Sequence, residues 1–221
     1  MLDVHFVILG AVIGSLGTLV YIRDTWRGVT QPNRVSWLMW AVAPLLAFAV
    51  EIHEGVGLQS LMTFVVGFGP LLVFLASFRS AAAVWRIGPL DYACGLLSVA
   101  GLAVWIATRH GTVAIVASIA ADALAALPTL RKSLWHPESE TVWAFGAATV
   151  NAAITLLTVK VATTAVIAFP VYIVAIASIE TLLIATRVGP RRLSPPSPRT
   201  LGTGLCWARP SSGRSGRSGR S

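Results

Sequence analysis

Read from the N-terminus, the chain alternates long apolar stretches with short polar ones. Apolar segments cover roughly 4–22, 35–50, 57–78, 88–107, 111–130, 141–160 and 162–186. A helix rises 1.5 Å per residue, so about 20 residues cross a hydrocarbon core of about 30 Å. Segment 35–50 is the shortest, framed by Arg34 on one side and Glu51 on the other. Hydrocarbon offers no water to a free backbone N–H or C=O, so each segment is predicted to be helical. Barrel strands would be about half as long and would alternate apolar with polar residues. The pattern therefore predicts an all-α integral membrane protein with seven transmembrane helices.

Composition sharpens this picture. Of 221 residues, 55% are hydrophobic and 12% charged; soluble domains carry about twice that charge. The N-terminal MLDVHF has Asp3 where a cleaved signal peptide has basic residues, so the first helix is expected to persist. Basic residues mark one side. Arg23, Arg27 and Arg34 lie between the first and second segments, Arg79 and Arg86 between the third and fourth, and Arg131 and Lys132 between the fifth and sixth. Arg187, Arg191, Arg192 and five further arginines follow the seventh. The other side holds only Arg109 and Lys160, with Asp3, Glu51 and Glu54. The basic side is expected to be cytoplasmic, which puts the N-terminus outside the plasma membrane and the C-terminus inside. Trp26, Trp85 and Trp135 fall in the basic loops, where interfacial anchors belong. This loop bias also accounts for the net charge of +8, so no nucleic-acid partner is expected.

Residues 187–221 are rich in Pro, Ser, Gly and Arg and end in SGRSGRSGRS. Such a segment cannot bury an apolar face, which predicts a disordered basic cytoplasmic tail near anionic lipid. Cys94 and Cys206 read as free thiols. His5, His53, His110 and His136 show no ligand spacing, so neither metal nor cofactor is expected.

The two ends of the chain hint at duplication. YIRDTWRGVTQPNRVSW leaves the first helix and LRKSLWHPESETVW leaves the fifth. Both run from basic residues through a Trp and a loop proline (Pro32, Pro137) to a Trp at the next helix start (Trp37, Trp143). The third and seventh segments carry Pro70 and Pro170, each followed two turns later by a serine, Ser77 and Ser178. Three crossings reverse direction and a fourth restores it, so two three-helix units around one linker helix must be parallel. The expected units are a first repeat over 1–80, a linker helix in 81–110, a second repeat over 111–186, and the tail over 187–221.

This plan resembles the PQ-loop proteins, which include the SWEET and SemiSWEET sugar transporters. Their Pro-Gln motif closes the first helix of each half ahead of a basic loop. Here Pro128 and Thr129 precede Arg131 and Lys132, with Thr in place of Gln, and Val20 and Tyr21 precede Arg23. The segment TQPNRVSWLMW is similar to bacterial relatives. The resemblance implies a small-solute permease working by alternating access. In the sugar transporters a Trp on the second helix of each half touches sugar, which carries over to Trp40 and Trp143. Their third-helix Asn has no counterpart; the one intramembrane asparagine is Asn151, on the sixth segment.

Candidate chemistry lies where polar groups enter apolar runs. Asp122 sits halfway along the fifth segment, where a carboxylate must pair, protonate or face water. Asn151 holds the same depth in the sixth. As packing residues both would bond a neighbouring helix; as site residues they, with Trp40 and Trp143, would bind a small polar solute. Glu180 is expected to snorkel toward the interface or to reach Arg187. Pro44, Pro70 and Pro170 remove backbone hydrogen bonds and are candidate hinges. No HExxH, GxSxG or paired intramembrane aspartates point to an enzyme, and the seventh segment lacks the lysine a retinal protein needs. The alternative to a permease is a membrane interaction or assembly protein; either is compatible with a homo-oligomer. A reporter fused after Arg187 is expected to be active only in the cytoplasm, and one fused after Glu54 only outside; the reverse pattern would overturn the orientation.

Overall fold

A computed structural model of the chain describes residues 2–80, 88–108 and 111–189. Trp85, Arg86, Arg109, His110 and the tail beyond Gly189 lie outside the described residues. The described residues form seven α-helices, in order: α1 (Phe6–Trp26), α2 (Arg34–His53), α3 (Ser60–Ser77), α4 (Pro89–Thr108), α5 (Gly111–Trp135), α6 (Val142–Thr158) and α7 (Thr164–Thr186). Single 3₁₀ turns, Gly57–Gln59 and Pro137–Ser139, precede α3 and α6. The described residues contain no strand. By length and composition α1, α2, α3 with its leading turn, α5 and α7 can each cross a membrane, and α6 is apolar at 17 residues. The chain is a multi-pass membrane protein.

The helix ends differ from the apolar segments for a local reason. α1 and α5 each run about one turn past the last apolar residue, to Trp26 and Trp135. α2 runs through Glu51 to His53, so Glu51 is a buried helix residue rather than a boundary. α1 and α2 stop at glycines in the left-handed region, Gly28 at φ 73° and Gly55 at φ 76°. In each, the residue after that glycine donates back five positions, Val29 N to Asp24 O at 2.9 Å and Val56 N to Glu51 O at 2.9 Å. These are Schellman closures, which satisfy carbonyls that the helix end would leave bare. α2 begins at Asn33, whose side chain accepts from Val35 N (3.0 Å) and Ser36 N (3.4 Å).

Within the chain α2 packs along α3, α6 along α7, α1 along α3, and α5 along α7. Two further seams, α1 with α6 and α2 with α5, join these groups, while α4 lies against α5 and touches α2. Small residues set the closest approaches. A Cβ on Gly17 would stand 2.5 Å from Ala147 Cβ and 3.0 Å from the Trp143 carbonyl; one on Gly67 would stand 2.9 Å from Leu45 N. Helix association in lipid rests on such packing because tails are as apolar as leucine. Large apolar side chains such as Leu16, Leu96 and Leu182 point away from the bundle, as a lipid-facing surface requires. Gly17→Leu is expected to force α1 from α6 and lower the thermal unfolding midpoint in detergent, by the equivalent of about 1–3 kcal/mol or more. Leu16→Ala, on the outer face of the same helix, should leave it nearly unchanged.

Candidate binding cavity

A cavity of about 90 Å³ lies inside the bundle. On a measure where one water needs ~10–15 Å³, it has room for several waters or a small solute. Its lining comes from α1, α2, α3, α5, α6 and α7, and among the described residues α4 contributes none. Asp122, Asn151 and Trp40 all line it, as do Trp37, Pro70 and Glu180.

Each polar group reaches the cavity from a fixed helix. Asp122 is 3% exposed; its Oδ2 accepts from Tyr172 Oη at 2.6 Å, and its Oδ1 has no partner among the described residues. Trp40 donates its indole N–H to the Asp122 backbone oxygen at 3.2 Å, which pins α2 to α5 beside the carboxylate. Glu180 is 1% exposed, takes a hydrogen bond from Ser133 Oγ at 2.8 Å through Oε2, and leaves Oε1 unpartnered. The expected snorkelling and Arg187 contact do not occur: Ser133 on α5 faces inward and supplies a nearer partner. Asn151 is fully buried with both amide atoms unpartnered, and stands against the α1 glycines Gly10 and Gly14.

Trp143 is the exception among the expected site residues. It is 69% exposed on the outer side of α6 and does not line the cavity. Its place in the aromatic wall is taken by Phe145, two residues further along the helix and so on a different face. Trp37, Trp40 and Phe145 meet at inclined angles, with ring centroids 5.3 Å apart for Trp37–Trp40, 6.2 Å for Trp40–Phe145 and 6.5 Å for Trp37–Phe145. Of the expected hinges, Pro70 faces the cavity, while Pro44 and Pro170 are buried within α2 and α7. α5 carries a further helix proline, Pro128, which is also buried.

Toward the end of the bundle that gathers Arg23, Arg34 and Lys132 lies a polar network, whose Tyr21 ring stands 4.5 Å from that of Trp37 in the cavity wall. Glu140, 6% exposed, takes the Tyr21 hydroxyl at 2.6 Å and pairs with Lys132 Nζ at 2.5 Å. Lys132 Nζ also donates to the Gln31 carbonyl, and Gln31 N donates to Ser139 O at 3.1 Å. The loop after α1 is thereby tied to the loop after α5. Arg34 adds a link to α3, donating to Ser77 Oγ and O at 3.1 Å each and standing 4.6 Å over the Phe78 ring. Reading the sequence missed Glu140, Tyr21 and Tyr172; a loop Glu beside a loop Lys was the available signal for the first.

Among the described residues no group of His, Cys, Asp and Glu is arranged to hold a metal ion. No protein-family model, curated protein or solved structure matches the chain.

Tyr172→Phe removes the one hydrogen bond that the described residues make to the Asp122 carboxyl, while keeping the ring. It is expected to destabilise the purified protein by about 1–3 kcal/mol, read as a lower unfolding midpoint. An unchanged midpoint would mean that Asp122 does not depend on Tyr172.

Proposed function

We propose that this chain is a small-solute permease of PQ-loop type, working by alternating access in the plasma membrane. The observation that carries the reading is the cavity. Buried, unpartnered polar atoms are costly, and in membrane proteins they mark solute and ion paths. Here three such side chains, Asp122, Asn151 and Glu180, converge on one space with room for a solute.

The packing supports the repeat reading. Exchanging α1, α2 and α3 for α5, α6 and α7 turns the α2–α3 seam into α6–α7, the α1–α3 seam into α5–α7, and the α1–α6 seam into α2–α5. All six contacts are present, as a two-fold relation along the membrane normal requires, and α4 stands outside them as a linker would. On this reading all seven helices cross, with the N-terminus outside and the basic end cytoplasmic. The Lys132–Glu140–Tyr21 network is then the closed cytoplasmic gate. The helix prolines supply bending points for a rocking half.

Reconstituted protein is expected to carry at least one small polar metabolite across a proteoliposome membrane faster than protein-free vesicles allow. Asp122→Asn and Asn151→Leu should each reduce that uptake about ten-fold or more, with the protein still inserted. Uptake that survives both would reduce these residues to packing. Failure across sugars, amino acids, amines and organic acids would favour a membrane interaction or assembly protein instead.

A further inference from the structure

The cavity's charge and surface chemistry select among solutes, an inference that rests on the permease reading. Its lining contains two carboxyl groups, Asp122 and Glu180, and no Lys, Arg or His. Each carboxyl group has one oxygen bonded by a neutral hydroxyl, from Tyr172 or Ser133, and one oxygen free. Lys132, in the adjoining network, is engaged by Glu140 and the Gln31 carbonyl. A cation in the cavity would pair with the free oxygens and favour the carboxylate form of these groups; an anion would oppose it.

The rest of the lining narrows the cation. Three mutually inclined rings, Trp37, Trp40 and Phe145, form an aromatic corner that lines the same space. Aromatic faces attract ammonium groups, and best when water is excluded. Much of the remaining surface is aliphatic, with Val65, Ile173 and Ile176 among it. A sugar would bring hydroxyls on every side and leave several of them buried against these side chains without partners. An amine with a few methyl or methylene groups would not. Asn151, with amide donor and acceptor both free, offers one polar contact apart from the carboxyl groups.

We infer that the cavity binds a small organic cation, an amine or quaternary ammonium bearing one further hydrogen-bonding group, by its two carboxyl groups and aromatic corner. The neutral sugars implied by the family resemblance are poor ligands for it.

The test measures binding of radiolabelled choline and ethanolamine to the purified full-length protein, and their uptake into proteoliposomes. Glucose, sucrose, lactate and the uncharged choline isostere 3,3-dimethylbutanol are measured alongside. Saturable cation binding is expected, with the isostere competing at least ten-fold more weakly. Asp122→Asn and Glu180→Gln should each weaken binding at least ten-fold, while Leu182→Ala, on the outer face of α7, should not. The isostere comparison uses unaltered protein, so it decides even if a carboxyl variant fails to fold. Equal binding of cation and isostere, or uptake of a neutral sugar with the cations inert, would overturn the cation assignment and leave the permease reading standing. Cation binding without uptake would support the assignment and overturn the permease reading. No binding and no uptake of any solute would overturn both.

Discussion

A carboxyl group carried into a membrane-spanning bundle must find a partner on another helix, and much of this architecture follows from that demand. Five acidic residues are buried among the described residues; Asp24 is held by its neighbour Arg23, and each of the other four takes a hydroxyl from a different element. Tyr172 on α7 serves Asp122 on α5, and Ser133 on α5 serves Glu180 on α7. Thr63 on α3 serves Glu51 on α2 at 3.0 Å, and Tyr21 on α1 serves Glu140 ahead of α6. Bonds of this kind are directional where lipid-driven packing is not, so they fix register between helices that would otherwise slide. The two α5–α7 bonds ascend both helices in the same order, as parallel neighbours must. A hydroxyl also satisfies a carboxyl group without neutralising it, which leaves capacity in the cavity for a charged ligand.

Two different chemistries close the bundle around that cavity. At the basic end the closure is polar, built from a buried ion pair, a tyrosine and two interlocked loops. Removing one member of a buried pair strands the other, commonly at a cost of about 3–5 kcal/mol. Such a closure holds firmly but can exchange partners if the loops part. Deeper in, closure is apolar: Met62, Phe169 and Ala152 form a packed cluster with Ala47 and Ile173. A permease needs one seal that resists leakage and another that can be rebuilt, and this pairing fits that requirement.

Helix existence was legible in the sequence and helix ends were not. Apolar length alone marked every helix, because hydrocarbon leaves the backbone no other option. The charged residues Arg23 and Glu51 marked the ends of the apolar runs, yet the helix continues through them until a glycine permits a left-handed closure. Gly28 and Gly55 were therefore the better stop signals. For the cavity, Asp122, Asn151 and Trp40 were readable as polar or amphipathic groups in apolar runs. Trp143 was misplaced because analogy with Trp37 and Trp40 fixes a position along α6 but not the face it points to. Glu180 looked close enough to the helix end to reach water; only the inward turn of Ser133 gives it a buried partner. Tyr172 and Glu140 owe their roles to contacts 50 and 119 residues away in sequence, which no local pattern encodes.

The central claim is that the bundle holds a space that water and solutes reach as its closures open, rather than a dry seam between packed helices. Single-cysteine labelling along α6, in protein with Cys94 and Cys206 replaced by serine, tests it most directly. Ala148 lines the cavity, and Val150, two residues on, is 43% exposed on the outer, lipid-facing side. In membranes, a small water-soluble thiol reagent should modify Ala148→Cys readily and Val150→Cys poorly. Faster modification at Val150→Cys, or none at Ala148→Cys, would contradict a solvated cavity between the helices.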